Sequence, residues 1–253
     1  LTVNPEKQAA IEIERLLKFP GFLKRDSFAK GRVEIVELRV DERSRLCNVA
    51  LSEMNRVIKC RVLVCAVLRR GDVVAPDGSF VLREGDRIFV TASTESLATL
   101  LDNLGIITKK VNHVMICGGG RVSYYLAQQL EKDGMTVRLI EKDSKHCEEL
   151  AALLPKTEII NDDASNTFVL KRENLESCDA LVTATGMDEL NMIISLYGTK
   201  HGVSQVITKL GHMENGSMID QLPIGSTIWP KDLCCNGIVR YIRAMHNQTG
   251  AAV

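Results

Sequence analysis

The chain of 253 residues has an ordinary globular composition, with 45% hydrophobic and 25% charged residues, and its length is typical of two compact units. Its 32 lysines and arginines balance 32 aspartates and glutamates, so no field of one sign favours nucleic acid or an anionic membrane as a partner. No apolar run approaches the roughly 20 residues of a membrane helix, and the first residues do not resemble a signal peptide. Any role at a membrane is therefore expected to go through another protein.

The 8 cysteines include no C-x-x-C pair and no histidine at a zinc-binding spacing. Most lie in apolar stretches, where cysteine behaves as a small hydrophobic residue. We expect reduced thiols in a cytosolic protein, with disulfides or a metal site as the alternatives. His146 and Cys147 are adjacent on a predicted helix and point to different sides of it, so a catalytic pair is not expected there.

The first predicted element is an amphipathic helix. Asn4 is a favourable N-cap, Pro5 suits the first helical position, and the helix should end at Pro20-Gly21. Because no strand precedes it and the sequence offers no obvious domain for it to cover, we expect the chain to be a fragment of a longer protein. The apolar face of this helix consists of Ala9, Ala10, Ile13, Leu16 and Leu17.

Residues 31 to about 108 are expected to form a small α+β domain. Apolar patterning predicts its strands, and the turn-forming sequences between the later strands predict an antiparallel meander. Asp72, Asp77 and Asp86 are interpreted as turn formers rather than metal ligands, and no cluster suits catalysis. The predicted strands are residues 33–40, 61–68, 73–75, 79–82 and 87–92, with helices near 51–54 and 94–104.

From residue 111 to about 228, strands and helices alternate regularly. Repeated β-α-β units of this length require a parallel sheet with right-handed crossovers. A ligand of such a sheet sits over the carboxyl ends of the strands, where Asp163, Thr185 and Gly186 fall. The later strands are predicted at residues 158–161, 180–184 and 205–210, with helices at 144–154, near 167–174 and up to His201.

The most informative stretch, residues 113–143, has the order strand, glycine turn, helix, strand and acid of a mononucleotide-binding unit. Gly118 permits the tight turn, Gly120 lets the backbone approach a pyrophosphate, and Arg121 adds positive charge at the start of the next helix. Ser123 stands at the third position of the G-x-G-x-x-G pattern, where a small residue allows close packing. A Rossmann unit that has lost its ligand is the alternative.

Glu141 lies 21 residues beyond Gly120, close to the roughly 20 expected of the carboxylate that binds the ribose hydroxyls. Because this carboxylate would repel a 2′-phosphate, adenosine with a free 2′-hydroxyl is favoured over NADP.

These stretches resemble the RCK (regulator of K⁺ conductance) family. The matching sequences are NPEKQAAIEIERLLKFPG, GRVEIVELRV, VAPDGSFVLREGDRIFV, GGGRVSYYLAQQLEKDG, VRLIEKD, DDASN and TATGMDELNMIISLYGTKHG. The resemblance implies two tandem pairs, each a Rossmann lobe followed by a small C lobe. Residues 1–30 would then be the crossover helix of a missing first Rossmann lobe, 31–110 a C lobe, 111–228 a second Rossmann lobe and 229–253 its crossover helix.

The resemblance further implies a cytoplasmic, non-enzymatic sensor at the inner face of the membrane. NAD(H) or ATP/ADP would bind the Rossmann lobe, and a ring of such subunits, tetrameric in the full-length form, would gate a K⁺ transporter of the TrkH type. Asp162 departs from the family pattern, which often has glycine there. The implied nucleotide-binding residues are Gly118, Gly120 and Arg121 at the phosphates, Glu141 at the ribose, Asp163 and Ala164 beside the adenine, and Thr185 and Gly186 on the pocket floor, together with Gly119, Val122 and Lys142 next to them in the sequence.

Two other functions remain as alternatives, an NAD-dependent oxidoreductase and a regulatory subunit of another cation antiporter. A dehydrogenase needs a proton donor or acceptor beside the nicotinamide. No tyrosine has a lysine four positions on, and His201 and His212 have no evident carboxylate partner.

The last predicted element is a helix from Trp229 to Asn247, for which the sequence again offers no obvious domain to cover. The resemblance implies that this arm docks on a neighbouring lobe, so we expect at least a dimer with Ile238, Tyr241 and Ile242 buried. An arm folded back on its own lobe in a monomer is the alternative. Its apolar face consists of Leu233, Cys234, Ile238, Tyr241, Ile242 and Met245.

Overall fold

The computed structural model describes residues 4–18, 24–28, 33–42, 44–93, 96, 99–100, 103–104, 110–211, 219 and 222–239. The chain divides into two compact units, one of residues 1–17 with 111–253 and one of residues 18–110. The helices are α1 (Pro5–Lys18), α2 (Leu51–Ile58), α3 (Arg121–Lys132), α4 (Ser144–Leu153), α5 (Thr167–Arg172) and α6 (Asp188–Lys200), and residues 230–239 form α7. The strands are β1 (Lys24–Phe28), β2 (Val33–Arg39), β3 (Leu63–Arg69), β4 (Asp72–Val74), β5 (Arg87–Ala92), β6 (His113–Cys117), β7 (Thr136–Glu141), β8 (Glu158–Asn161), β9 (Ala180–Thr183), β10 (Gln205–Lys209) and β11 (Ser226–Ile228).

The larger unit is built on a six-stranded sheet with the order β11-β10-β9-β6-β7-β8, and all its strand pairs are parallel. This confirms the predicted Rossmann-like sheet. The chain first adds strands on one side of β6 and then on the other, so the order reverses between β6 and β9. Strand β11 was not predicted, because three residues carry too little periodicity to be recognised.

Both faces of this sheet are covered by helices. Along β6, Val114 and Ile116 pack into one core with α1 and α3, whereas Met115 and Cys117 pack into a second core with α5 and α6. The alternation follows from the two-residue period of a strand, and burial on both faces explains the continuous apolar sequence of the strands.

Helix α1 packs on the sheet of the larger unit. Asn4 is the N-cap, since its Oδ1 accepts the Lys7 N–H at 2.9 Å, and Gln205 at the start of β10 donates to the Leu16 carbonyl at 2.7 Å. The buried apolar face of α1 joins Leu126 and Leu130 of α3. The expectation that the chain holds no domain for this helix to cover was therefore wrong, because its partners lie more than a hundred residues along the chain and leave no local signal.

Helix α7 is also partly covered by its own unit. Cys234 is buried, and Leu233 packs against the core that contains α1. Ile238 remains 40% exposed, while Tyr241, Ile242 and Met245 lie outside the described residues.

The smaller unit is a five-stranded antiparallel sheet with the order β1-β2-β5-β3-β4. The predicted α+β domain is confirmed, but the predicted meander is wrong because β5 pairs with β2 and β3 rather than with the strand before it. This central position buries Ile88 and Val90 completely. Strand β1 was not predicted, and residues 79–82 form a single bridge, Val81 to Ala50, instead of a strand. Of the predicted helix at 94–104, the described residues 96, 99–100 and 103–104 are helical.

Asp77 and Asp86, both interpreted as turn formers, make different interactions in the structure. Asp77 does form a turn, since its Oδ1 accepts the Ser79 N–H at 2.9 Å. Asp86 is instead 1% exposed and makes a two-pronged ion pair with Arg69, with both N–O distances 2.7 Å. Burial opposes ionisation of Asp86, yet the hydrogen bonds from Arg69 and the Arg83 N–H hold its pKa below the ordinary value.

All 8 cysteines are free thiols in the structure. Within the described part of the chain, no group of three or more histidine, cysteine, aspartate or glutamate side chains could hold a metal ion. None of the described helices combines the length and the apolar character that crossing a membrane requires.

Candidate nucleotide-binding site

The candidate site lies at the carboxyl ends of the parallel strands, where the strand order reverses. Gly118 follows β6 and has a φ of +98°, a conformation that disfavours other residues. A Cβ at this position would lie 2.8 Å from both the N and the Cα of Thr185, which follows β9. Gly118 therefore provides the tight turn that its place in the motif predicts.

Glu141, at the end of β7, holds the glycine turn through its carboxylate. Its Oε2 accepts the Gly119 N–H at 2.7 Å, and its Oε1 accepts the Asp143 N–H at 2.9 Å. A Cβ on Gly119 would lie 2.9 Å from that Oε2 and 2.7 Å from Leu150 Cδ1. A side chain at position 119 would therefore have to displace Leu150 and Glu141, which the spacing pattern gave no reason to predict.

Gly120 is the N-cap of α3, with an ordinary φ of −64°. A Cβ here would meet nothing within 4 Å, so the space in front of the helix is open. No side chain caps α3, and its first turn contains no acidic residue. The free N–H groups and the positive end of the helix dipole are therefore available to an anion, and this geometry fits the diphosphate of a nucleotide.

The next three residues differ in their exposure. The Arg121 side chain is 81% exposed and its Nη1 lies 3.9 Å from Glu6 Oε1 on α1. Val122 is buried in the core beneath the turn, so it supports the turn by packing. Ser123 is completely buried, as expected of the small residue at the third fingerprint position.

The end of β8 lies beside the end of β7. Asn161 Nδ2 donates to the carbonyls of Glu141 and Lys142, both at 3.1 Å. Asp163 accepts the Ser165 N–H at 2.8 Å, which lowers the pKa of Asp163. Lys142 is exposed beside these carbonyls.

Two neighbours of Asp163 complete this edge. Ala164 is buried and lines an apolar cavity of about 220 Å³ formed with α5 and α6. Asp162, at the position where the resemblance led us to expect glycine, does not have a positive φ. Its side chain turns to Arg172 at 2.8 Å, so the aspartate is accommodated without backbone strain.

A buried polar cluster fixes the turn that contains Thr185 and Gly186. The N–H and Oγ1 of Thr185 both donate to Asn191 Oδ1, at 2.9 and 2.7 Å. Asn191 is completely buried and donates to the Lys209 carbonyl at 3.0 Å. Lys209 Nζ donates to the Thr185 carbonyl at 2.8 Å, and burial lowers the pKa of Lys209.

Sequence reasoning did not predict three residues that organise the site, His146, Asn191 and Lys209. His146 Nε2 lies 2.9 Å from the Gly119 carbonyl oxygen. The sequence alone led us to consider His146 only as a possible catalytic partner of the adjacent Cys147. Asn191 and Lys209 could have been suspected as polar residues at the start of a helix and the end of a buried strand, both next to a predicted ligand-binding turn.

A second cavity, of about 180 Å³, lies near the amino ends of β6 and β7. His113, Arg138 and Cys178 line it, and it contains none of the predicted site residues.

The fold and the glycine turn define the class of this protein, a doubly wound Rossmann-type lobe of the nucleotide-binding kind, combined with a small α+β domain. Family models agree with both parts. The TrkA-N domain matches residues 114–230, and the TrkA-C domain matches residues 35–105.

Curated relatives match along almost the whole chain. The Trk system potassium uptake protein TrkA of Haemophilus influenzae is 31% identical over 95% of this chain and 53% of its own length. The Trk system potassium uptake protein TrkA homolog of Archaeoglobus fulgidus is 30% identical over 99% of this chain and 57% of its own length. The chain thus spans about half the length of these relatives.

Solved structures show the same fold. The GsuK RCK domain superposes with a TM-score of 0.63 at 15% identity, over 97% of this chain and 53% of that one. A GsuK channel bound to NAD gives a TM-score of 0.61 at 15% identity, over 96% of this chain and 43% of the channel chain. The chain therefore combines a TrkA-C domain with a TrkA-N domain, and it is similar along nearly its whole length to the Trk system potassium uptake proteins named above.

Proposed function

We propose that this chain is the nucleotide-sensing part of a regulatory subunit for K⁺ uptake, and that it catalyses no reaction. The observation that carries this proposal is the glycine turn, in which Gly118 is packed too tightly against backbone for any side chain, the Gly119 N–H is held by Glu141, and Gly120 faces open space. An uncapped helix amino terminus directly behind that space is suited to a phosphate group.

Each part of the site would contact one part of an adenine nucleotide. Gly118, Gly119, Gly120 and the start of α3 would hold the diphosphate, with Arg121 supplying positive charge. Glu141, whose carboxylate is already oriented by the Gly119 and Asp143 N–H groups, would accept the ribose hydroxyls.

The rest of the nucleotide would lie against the neighbouring strand ends. Lys142, Asp163 and Ala164 would border the ribose and the adenine. Thr185 and Gly186, fixed by Asn191 and Lys209, would form the floor of the pocket. Val122 would support the turn from the core.

NAD(H) is the nucleotide that we favour, with ATP and ADP as the other ligands to test. The GsuK channel, whose fold this chain shares, has been solved with NAD bound. The carboxylate of Glu141 at the expected ribose position disfavours the 2′-phosphate of NADP.

The partner would be a membrane K⁺ transporter of the TrkH type, with this subunit on the cytoplasmic face of the membrane. The support for this placement is the name of the relatives, Trk system potassium uptake protein. Helix α1 would be the crossover helix of a preceding Rossmann lobe, and residues 229–253 the crossover helix of the lobe described here, in an assembly of several subunits.

Calorimetric titration of the 253-residue chain with NAD⁺, NADH, ATP, ADP and NADP⁺ in parallel tests the proposal. Binding of at least one of the first four, with NADP⁺ about tenfold or more weaker than NAD⁺, is the expected result. Absence of binding to all of them would refute a nucleotide sensor. Steady oxidation of NADH in the presence of a defined organic substrate would refute the non-enzymatic role.

A further inference from the structure

The backbone N–H and carbonyl of Gly119 are both held by side chains of the neighbouring β-α unit. Glu141 accepts its N–H at 2.7 Å, and His146, in the first turn of α4, lies with Nε2 2.9 Å from its carbonyl oxygen. His146 is itself placed by the N-cap Asp143, whose Oδ1 accepts the His146 backbone N–H at 2.9 Å. The imidazole ring is therefore fixed beside the glycine turn.

Both ring nitrogens of His146 face groups that accept hydrogen bonds. Nε2 faces the Gly119 carbonyl, and Nδ1 lies 3.1 Å from Glu149 Oε2. A neutral imidazole donates through only one nitrogen, whereas the imidazolium donates through both. The charged groups that face the ring are Glu149 on its own helix and Glu141 at the end of β7, and both are acidic. The surroundings thus favour the doubly protonated ring.

We propose that His146, in its imidazolium form, is a positioning residue of the nucleotide site that holds the Gly119 carbonyl and adds positive charge beside the phosphate-binding turn. This inference rests on the proposed function, since it concerns the affinity of that same site. With the Gly119 carbonyl held by His146 and the Gly119 N–H held by Glu141, the two peptide groups that flank Gly119 keep one orientation, and the open side of the turn stays directed at the ligand.

The consequence is a dependence of nucleotide affinity on pH. The hydrogen bond to Glu149, followed by that to the Gly119 carbonyl, raises the pKa of His146 in the free protein. A bound diphosphate would stabilise the imidazolium further, so binding should take up protons near that pKa. Affinity should therefore be higher below this pKa and fall as the pH rises through it. The His146 side chain is 41% exposed, so solvent screening keeps the effect moderate.

The test is titration of the 253-residue chain with NAD⁺ between about pH 6 and about pH 8, a range in which histidine is the side chain that ordinarily titrates. We expect NAD⁺ to bind about threefold to tenfold more weakly at the upper end of this range. His146→Gln, which keeps one donor for the Gly119 carbonyl but no charge, should bind with the weaker affinity at every pH. The matched control is His201→Gln, since His201 Nδ1 also lies 2.9 Å from a backbone carbonyl, that of Tyr197, at the end of α6. This variant should keep the pH dependence of the wild type.

The outcomes separate this inference from the proposed function. NAD⁺ binding whose affinity does not change with pH, or whose pH dependence survives in His146→Gln, would overturn the role of His146 and leave the nucleotide site standing. Absence of NAD⁺ binding at every pH would overturn both. NMR titration of the His146 ring in the wild type, with and without NAD⁺, provides a measurement that does not depend on a variant. An unchanged ring pKa on NAD⁺ binding would also contradict the proposal.

Discussion

Gly118 and Thr185 belong to opposite halves of the parallel sheet, yet their backbones approach so closely that a Cβ on Gly118 would lie 2.8 Å from Thr185 Cα. The contact spans the place where the strand order reverses. The turn after β6 and the turn after β9 therefore form one continuous surface, with the open space at Gly120 beside it. A nucleotide placed there would touch both halves of the lobe.

This contact predicts that Gly118→Ala destabilises the larger unit by at least about 2 kcal/mol, because the positive φ and the clash with Thr185 both oppose a side chain. Thermal unfolding followed through Trp229, the single tryptophan of the chain, measures the change. The control is Gly120→Ala, where φ is −64° and the stability should change by less than about 1 kcal/mol. Equal stability of the two variants would contradict the packing argument.

The position of Glu141 predicts that Glu141→Ala weakens NAD⁺ binding by roughly 1.5–3 kcal/mol, the range for hydrogen bonds to a charged group. The variant loses the expected ribose acceptor and also leaves the Gly119 N–H without its partner. Calorimetry measures the affinity. Glu158→Ala, at the opposite end of the sheet where Glu158 pairs with Arg138, should bind like the wild type. Unchanged affinity of Glu141→Ala would remove Glu141 from the site.

The ion pair of the buried Asp86 with the half-buried Arg69 predicts that Asp86→Asn destabilises the smaller unit by about 1–3 kcal/mol, since the hydrogen bonds of Asp86 would lose their charged acceptor. Because the pKa of Asp86 is lowered by folding, the ion pair stabilises the unit above the ordinary carboxyl pKa of about 4, and this stabilisation is lost as the pH falls through the folded-state pKa.

Hydrogen exchange at β5 measures this stability. The control Asp72→Asn lies at an exposed position and should change the stability by less than about 0.5 kcal/mol. If Asp86→Asn exchanges as slowly as the wild type at neutral pH, the pair does not stabilise the unit.

The sequence predicted the structure correctly where the residues that form a structural unit lie close together in the chain. The glycine turn, α3, β7 and Glu141 occupy about thirty consecutive residues, and their spacing alone predicts the β-α-β unit that the structure contains. The regular alternation of strands and helices likewise sufficed for a parallel sheet.

It failed where distant segments meet. The place of β5 between β2 and β3 depends on which strand best buries Ile88 and Val90, and the packing of α1 depends on residues more than a hundred positions away. At the site, the contact of His146 with the Gly119 carbonyl also stayed hidden, because it depends on how a turn and a helix meet across two strands.

The exposed apolar residues of helix α7 predict that the chain forms at least a dimer. Ile238 and Val239 are 40% and 44% exposed in the single chain, so an apolar part of this helix is available to a second copy. We expect light scattering to give at least the mass of a dimer at micromolar concentration, and Ile238→Asp combined with Ile242→Asp to shift it towards the monomer. Leu153→Asp, at another exposed apolar position, is the control and should leave the mass unchanged. A monomeric wild type would support the alternative of an arm folded on its own lobe.

The most direct test of nucleotide binding at the glycine turn is titration of Gly120→Val with NAD⁺. A Cβ at position 120 would meet no protein atom within 4 Å, so we expect the fold to survive the substitution while the valine side chain fills the open space in front of α3 and excludes the diphosphate. Gly237→Val, another glycine whose added Cβ would meet nothing, is the control. We predict that the wild type and Gly237→Val bind NAD⁺ and that Gly120→Val, with unchanged circular dichroism, does not. Binding of equal affinity to Gly120→Val would show that the nucleotide does not occupy this turn.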